Sequence, residues 1–344
     1  MNKRVGYQII FYLALIFLFL TNFFLLISFG ELAFLVGFFG IFFFLSLVFV
    51  GFYFRIQKNI DNRFIEIITH EKGEEKGPGL GIDKEDLKKF NLERAITKKD
   101  ITVVVAIRDR DEKNLINSFE SIRKQDYSQD LIKIKLIDYD SKKDFSRKYQ
   151  KICVNFNAEY IKIENKPFWS KSHALNIGIR RVRTKYVLST DSDIVFEKNY
   201  VSESIRALEK DPFQVVLFPC LNLPEKVGKN MSFNQLKKAA TPRFKSGYVT
   251  PGINLALSYF YDKIRGYDEN YLLWGGLDDD IIKRFRLLGL RVFNIKDNSS
   301  YLHQWHSLQK KNKKYESIRI KNERYYRLND SIFRNRYGWG DLDQ

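Results

Sequence analysis

Cysteine is scarce in this 344-residue chain: Cys153 and Cys220 are the only two. Two thiols cannot build a disulfide framework, which excludes the small stapled scaffolds of secreted proteins and fits a reducing compartment. Acidic residues are in deficit, 41 against 58 basic ones, so the net charge is +17. A surface of that sign can attract nucleic acid, an anionic lipid face or an anionic substrate. The sequence has no arginine-rich arm, zinc-finger spacing or RNA-binding sheet motif, so no nucleic-acid partner is expected. Internal repeats are absent. Histidine is rare, with four residues, two of them inside one tetrapeptide. What the chain does have is apolar matter, 44% of its residues, enough for one sizeable domain with accessories.

Long apolar runs are confined to the first 54 residues. One covers residues 7–28 and another 32–54, each close to the roughly 20 residues that cross a bilayer. Phe29, Gly30 and Glu31 make a turn between them, so residues 1–56 read as a two-helix transmembrane hairpin. A signal peptide would have a shorter apolar core and no second span. Lys3 and Arg4 precede the first run, and Arg55, Lys58 and Arg63 follow the second. The positive-inside rule then puts both flanks, and the remainder of the chain, on the cytoplasmic side of a membrane. Contact of the basic surface with anionic membrane lipid is a further expectation. Residues 57–98 are expected to hold a juxtamembrane helix, over 55–70, and a glycine-rich linker, over 71–83.

From residue 101 strand and helix patterns alternate. The near-continuous β-branched run Ile101–Ile107 is that of a buried parallel strand. Helical spacing over 114–124 places Leu115, Ile116, Phe119 and Ile122 on one side. Strands are expected over 132–137, 160–163 and 186–188, and helices over 143–156 and 172–181. This order predicts an α/β domain, Rossmann-like, with a mainly parallel sheet covered on both faces. Ligands of such sheets sit beyond the carboxyl ends of the strands. Asp138 and the run Thr190-Asp191-Ser192-Asp193 fall at such ends and are expected to line one crevice.

Three constellations carry candidate chemistry. Two carboxylates one residue apart, Asp191 and Asp193, can hold Mg²⁺ or Mn²⁺ against a diphosphate, and read equally as a capped turn before a helix near Asn199. The spacing recurs at Asp109/Asp111, Asp138/Asp140, Asp278/Asp280 and Asp341/Asp343; Asp191/Asp193 is singled out because an apolar strand feeds directly into it and another apolar stretch follows. His303 and His306 offer imidazole ligands, or are simply packed rings. In Trp274-Gly275-Gly276-Leu277-Asp278-Asp279-Asp280 the acids open a helix, where its dipole favours them. They equally supply a carboxylate base beside an aromatic wall for a sugar ring.

In these constellations the chain resembles the family 2 glycosyltransferases of the GT-A fold. It is similar in particular to the branch shared by β-1,4-galactosyltransferases and bacterial capsule or lipopolysaccharide transferases, over residues 101–312. Ala106-Ile107-Arg108-Asp109-Arg110 resembles the family's P-F-R-N-R nucleotide-binding segment, with Ala106 in place of proline. Asp138 falls where the family has a uracil-contacting aspartate. Residues 169–178 resemble F-N-R-A-x-x-L-N-V-G, which puts Lys171 at the arginine facing the nucleotide; lysine keeps the charge without the planar fork. Asp191-Ser192-Asp193 matches the D-x-D motif, with Asp193 as metal ligand and Asp191 nearer the ribose and sugar. His306, followed by Ser307, Lys310, Lys311 and Asn312, matches a metal-binding H-S-x-x-K-K-N, and His303 stands where that branch has a ligating methionine. Residues 266–280 resemble G-F-x-x-x-Y…W-G-G-E-D-D-D, with Leu277 replacing glutamate.

The resemblance implies an inverting, metal-dependent transfer of a sugar from a UDP-sugar donor to a glycan or lipid-linked acceptor. Mn²⁺ or Mg²⁺ is the implied cofactor, on Asp193, His303 and His306. Asp278 is the implied base. Ala106, Arg108, Arg110, Asp138, Lys171 and Asp191 line the donor side; Trp274, Gly275, Gly276 and Asp279 line the acceptor side. A processive polysaccharide synthase would carry Q-x-x-R-W and further spans after the catalytic domain, and neither occurs. A non-catalytic membrane scaffold would have no need of the acids and both histidines. The transferase domain is set at 99–312. The basic, aromatic segment 313–344 is left as a tail that packs on the domain, touches lipid or mediates assembly.

Overall fold

The computed structural model describes residues 84–227, 231–243, 252–295, 298–307 and 313–341. The chain divides into two compact units, Met1–Gly73 and Glu74–Gln344, and every described residue belongs to the second. The two apolar runs, the surface helix over 55–70 and the linker 71–83 lie outside the described residues. Among the described residues no helix is long and apolar enough to cross a membrane.

In chain order the elements are α1 (Lys84–Glu93), β1 (Ile101–Ile107), α2 (Glu112–Arg123), β2 (Ile132–Tyr139), α3 (Lys143–Asn155), β3 (Glu159–Ile163), α4 (Lys171–Arg180) and β4 (Tyr186–Asp191). Then follow β5 (Ile194–Phe196), α5 (Tyr200–Lys210), β6 (Gln214–Leu217), β7 (Cys220–Asn222), α6 (Phe233–Ala239) and β8 (Thr241–Pro242). The last are β9 (Asn254–Leu257), α7 (Ser258–Lys263), α8 (Leu277–Leu288), β10 (Arg291–Asn294), β11 (Tyr301–His303) and α9 (Lys313–Leu328). Seven strands form the main sheet in the order β10-β6-β9-β4-β1-β2-β3, and a smaller sheet runs β5-β11-β7-β8. The main sheet is parallel except for β9, which runs antiparallel between β4 and β6. Mixed α/β architecture with a mostly parallel central sheet is therefore what this sequence adopts.

Every residue of β1 is buried, as its unbroken apolar run requires. Each isoleucine or valine so enclosed contributes about 1.5–3 kcal/mol of burial. The register brings the strand ends level: Ala106 lies beside Asp191, and Ile107 beside Asp138. Helix α4 packs across β1 and β2 through Gly178, where a Cβ would come within 2.5 Å of Val104 Cγ1. That close seat aims the N-terminus of α4, and Lys171 with it, at the strand ends.

Segments on both sides of residues 99–312 pack on the sheet domain. Phe90 of α1 is buried and meets the Tyr259 ring edge-on at 5.3 Å, while Arg94 pairs with Asp262 at 2.7 Å. The segment 313–341 packs on the domain as a strap. Asn335 Nδ2 donates to the carbonyls of Arg265 and Tyr267, each at 2.8 Å. Arg180 and Arg181 reach the carbonyls of Trp339 and Gly340, and His173 Nε2 that of Asp341. Of the three roles left open for the tail, packing on the domain is the one its contacts display.

Candidate active site

Asp193 follows the end of β4 and immediately precedes β5. Strand β11 pairs antiparallel with β5, setting His303 opposite Ile194, and Gln304 N donates to the Asp193 carbonyl at 2.9 Å. The Gln304 side chain then ties the segment to α2, accepting from Asn117 Nδ2 at 2.6 Å and donating to the Asn114 carbonyl at 2.8 Å. Both histidines thereby converge on one carboxylate: His303 Nε2 is 3.9 Å from Asp193 Oδ1, and His306 Nε2 is 3.5 Å from Oδ2.

Three ligand atoms of Asp193, His303 and His306 lie within 4.8 Å of one another. Atoms about 2.1 Å from a common ion at tetrahedral to right angles sit roughly 3.0–3.4 Å apart, so the separations of 3.5 and 3.9 Å are longer than hydrogen bonds and a cation would draw the three groups slightly closer. Asp193 Oδ1 is buried with no hydrogen-bond partner among the described residues, an orphan that a cation would satisfy. His306 Nδ1 lies 3.2 Å from the Ser307 carbonyl, which fixes the proton on that nitrogen and leaves Nε2 as the lone-pair side. Burial pulls the His303 imidazole below its ordinary value against the pull of Asp193, favouring the neutral, ligating form. Burial pushes the Asp193 carboxyl up; His303 opposes the rise, and Asp191 adds to it. One hard carboxylate with two imidazoles fits Mn²⁺ or another borderline divalent ion.

Asp191 and Asp278 meet at Lys171. Its ammonium lies 2.7 Å from Asp191 Oδ1 and 3.2 Å from Asp278 Oδ1, with the lysine side chain only 10% exposed. Burial disfavours the Asp191 carboxylate, yet Lys171 holds it below the usual range. The Asp278 carboxyl is pushed up by burial, with Lys171 opposing and Asp191 reinforcing the rise. Burial likewise works against the Lys171 ammonium, but the two carboxylates outweigh it and keep the charge.

Of the residues expected on the donor side, Ala106 and Arg108 occupy the end of β1 and the loop beyond it. Arg108 Nη2 is 3.6 Å from Asp140 Oδ2, and its Nη1 is buried without a partner among the described residues. The Arg110 backbone is clamped by Tyr149, whose hydroxyl accepts from Arg110 N at 2.8 Å and donates to its carbonyl at 2.6 Å. The Arg110 charge acts on Asp193. Asp138 is placed differently from expectation. It is fully buried, and its carboxylate already accepts from Ser141 N, Ser146 Oγ, Tyr160 OH and Lys162 Nζ at 2.6–3.3 Å. Strand β2 runs on to Tyr139, so Asp138 points into the domain, and Asp140 is the carboxylate left toward the open side.

Of the residues expected on the acceptor side, Trp274 is 66% exposed, four residues before Asp278. Gly275 and Gly276 have φ of +99° and +79°, which no β-carbon tolerates well. A Cβ on Gly275 would meet Arg319, and one on Gly276 would meet Tyr271 and the Asn322 carbonyl, at 3.0–3.3 Å. Asn322 on α9 also donates to the Leu272 and Trp274 carbonyls at 2.8 and 3.0 Å, so the strap shapes this loop. Leu277 is buried in the core, which explains how an apolar residue stands among the acids. Asp279 is pushed up to about 7 by burial, then by Asp278, Asp280 and Glu323. Arg243, next after β8, was not legible from any motif. Its charge acts on Asp191, Asp278 and His303.

The family model for glycosyl transferase family 2 matches residues 102–261, and that for the N-terminal domain of galactosyltransferase matches residues 233–307. Residues 102–261 are thus a family 2 glycosyltransferase domain. The first match takes in Lys171, Asp191 and Asp193; the second takes in Asp278 and both histidines. No curated protein matches the chain. Among solved structures, the crystal structure of S. aureus TarS 1–349 is similar at 15% identity and a TM-score of 0.46, covering 60% of this chain and 60% of that one. Its complex with UDP matches at 16% and 0.46 over 60% of each chain, and its complex with UDP-GlcNAc at 14% and 0.46 over 64% of each. The chain thus spans somewhat under two thirds of those fragments.

Proposed function

We propose that this glycosyltransferase moves one sugar from a UDP-sugar to an acceptor hydroxyl with inversion, assisted by Mn²⁺ or Mg²⁺ on Asp193, His303 and His306. The observation that carries the reading is the Lys171 bridge. It ties the strand-end acid Asp191 to Asp278 at the start of α8, so that donor-side groups and a base share one crevice. Arg108, with a buried unpartnered Nη1, and Arg110 supply positive charge for the nucleotide diphosphate. When bound, the cation neutralises charge on the departing diphosphate. The acceptor oxygen attacks the anomeric carbon, the bond to the diphosphate breaks with its electron pair leaving on UDP, and the acceptor proton passes to Asp278. Trp274 offers an aromatic face for the sugar being extended.

UDP is the nucleotide of the branch whose motifs the chain resembles. The acceptor is a glycan or a lipid-linked saccharide at the cytoplasmic face of a membrane, a reading supported by the apolar runs over 7–28 and 32–54, their flanking cations and the net charge of +17. The test is a screen of UDP-sugars against detergent-solubilised full-length protein, with Asp278→Asn alongside. The variant is expected to lose transfer while its UDP affinity stays within about twofold, a change under about 0.5 kcal/mol. Near-normal turnover by the variant removes Asp278 from the role of base.

A further inference from the structure

A base at Asp278 must be ionised and must present one oxygen to the acceptor, and its two oxygens have different neighbours. Oδ1 faces the Lys171 ammonium at 3.2 Å. Among the described residues no hydrogen-bond donor reaches Oδ2; a Cβ built on Gly252 would lie 3.4 Å from it. We propose that Lys171 is a positioning residue that holds Asp278 as an ionised base and turns Oδ2 toward the acceptor hydroxyl, with Gly252 keeping the approach to Oδ2 open. The proposal rests on the reading of Asp278 as the base.

The titratable groups around Asp278 come from several elements: Lys171 on α4, Asp191 at the end of β4, Arg243 beyond β8, the neutral phenol of Tyr267 before α8 and Asp279 on α8 itself. Burial and Asp191 both push the carboxyl up, and Lys171, the cation in contact, opposes that rise. The bridge also accommodates the product of proton transfer. When Oδ2 gains the acceptor proton, Lys171 remains paired with Asp191 at 2.7 Å, so no buried charge is left without a partner. An acceptor hydroxyl must come to about 2.6–3.2 Å of the accepting oxygen. A methyl group on residue 252 would stand in that space.

The experiment is the pH dependence of kcat/KM for the acceptor, measured with UDP affinity on the full chain, for the wild type, Lys171→Met, Lys171→Arg and Gly252→Ala. Losing an opposite charge at this distance moves a carboxyl up by roughly 1–3 units, so the acidic limb of Lys171→Met is expected to shift upward by about that much. Lys171→Arg keeps the charge and is expected to bring the limb back toward the wild-type position. Gly252→Ala is expected to raise the acceptor KM several-fold with the limb and the UDP affinity unchanged. An unshifted limb in Lys171→Met, with only UDP affinity reduced, makes Lys171 a donor ligand and overturns the proposal. Wild-type acceptor kinetics in Gly252→Ala overturn the assignment of Oδ2. Absence of transfer by the wild type in the same assay overturns the functional reading and the proposal together.

Discussion

Replacing Arg334 with leucine tests how firmly the C-terminal strap is bound to the catalytic unit. Arg334 Nε lies 2.9 Å from Asp268 Oδ2, and Nη2 lies 3.7 Å from Asp280 Oδ1. Arg284 Nε donates to the other oxygen of Asp280 at 2.7 Å. Asp268, Asp280 and Arg284 are buried, and Arg334 is 5% exposed, so two carboxylates and two cations form one enclosed cluster. Tyr325 OH also donates to Asp268 Oδ2, at 2.9 Å, but brings no charge. Leucine at 334 leaves a carboxylate uncompensated, and breaking a buried pair from one side costs about 3–5 kcal/mol. At about 2–4 °C per kcal/mol for a unit of this size, the thermal midpoint should fall by roughly 6–20 °C. Arg334→Lys should fall in between, since it restores the charge without the fork that reaches two acids. The assay is thermal unfolding of the full chain in detergent, followed by tryptophan fluorescence. A midpoint for Arg334→Leu within about 2 °C of wild type, less than 1 kcal/mol on the same scale, would refute the claim that the strap is an integral part of the fold.

Gly178→Ala should destabilise the unit by about 1–3 kcal/mol, because its new Cβ would lie 2.5 Å from Val104 Cγ1. Adding Val104→Ala should cost less than the sum of the two single changes in denaturant titrations; strict additivity would contradict this packing. Asp279 is raised to about 7 in the folded chain, above its ordinary unfolded value, so its contribution to stability is complete in acid and lost as pH rises through about 7. Asp279→Asn should therefore narrow the difference in thermal midpoint between pH 5 and pH 8. An unchanged difference would show that the carboxyl titrates as an ordinary surface acid.

The parallel half of the sheet was legible because its chemistry is local. The run Ile101–Ile107 can only be a strand buried on both faces, and the strand found has those bounds. The antiparallel β9 was not legible, since Asn254–Leu257 is four residues long and its place between β4 and β6 depends on pairings made elsewhere. The second sheet was equally hidden, being built from strands of two or three residues. Yet that sheet brings His303 opposite Ile194 and so unites groups about 110 residues apart. The candidate acids and histidines were visible as motifs, whereas their mutual contacts were not. Asp138 looked like an open strand-end acid because the strand was expected to stop at Ile137, and two more residues turn that carboxylate inward. Arg243 lies in no motif, and only the turn after β8 brings its charge to the acids.

Asp193, His303 and His306 are proposed to hold a divalent cation that completes a UDP site. Calorimetric titration of UDP into detergent-purified full-length protein, with Mn²⁺ and then with EDTA, tests it most directly, with Asp193→Ala as the paired variant. UDP binding in Mn²⁺ is expected to weaken at least tenfold, about 1.4 kcal/mol, in EDTA and in Asp193→Ala. Equal UDP affinity with Mn²⁺ and with EDTA in folded protein, unaffected by Asp193→Ala, would contradict it.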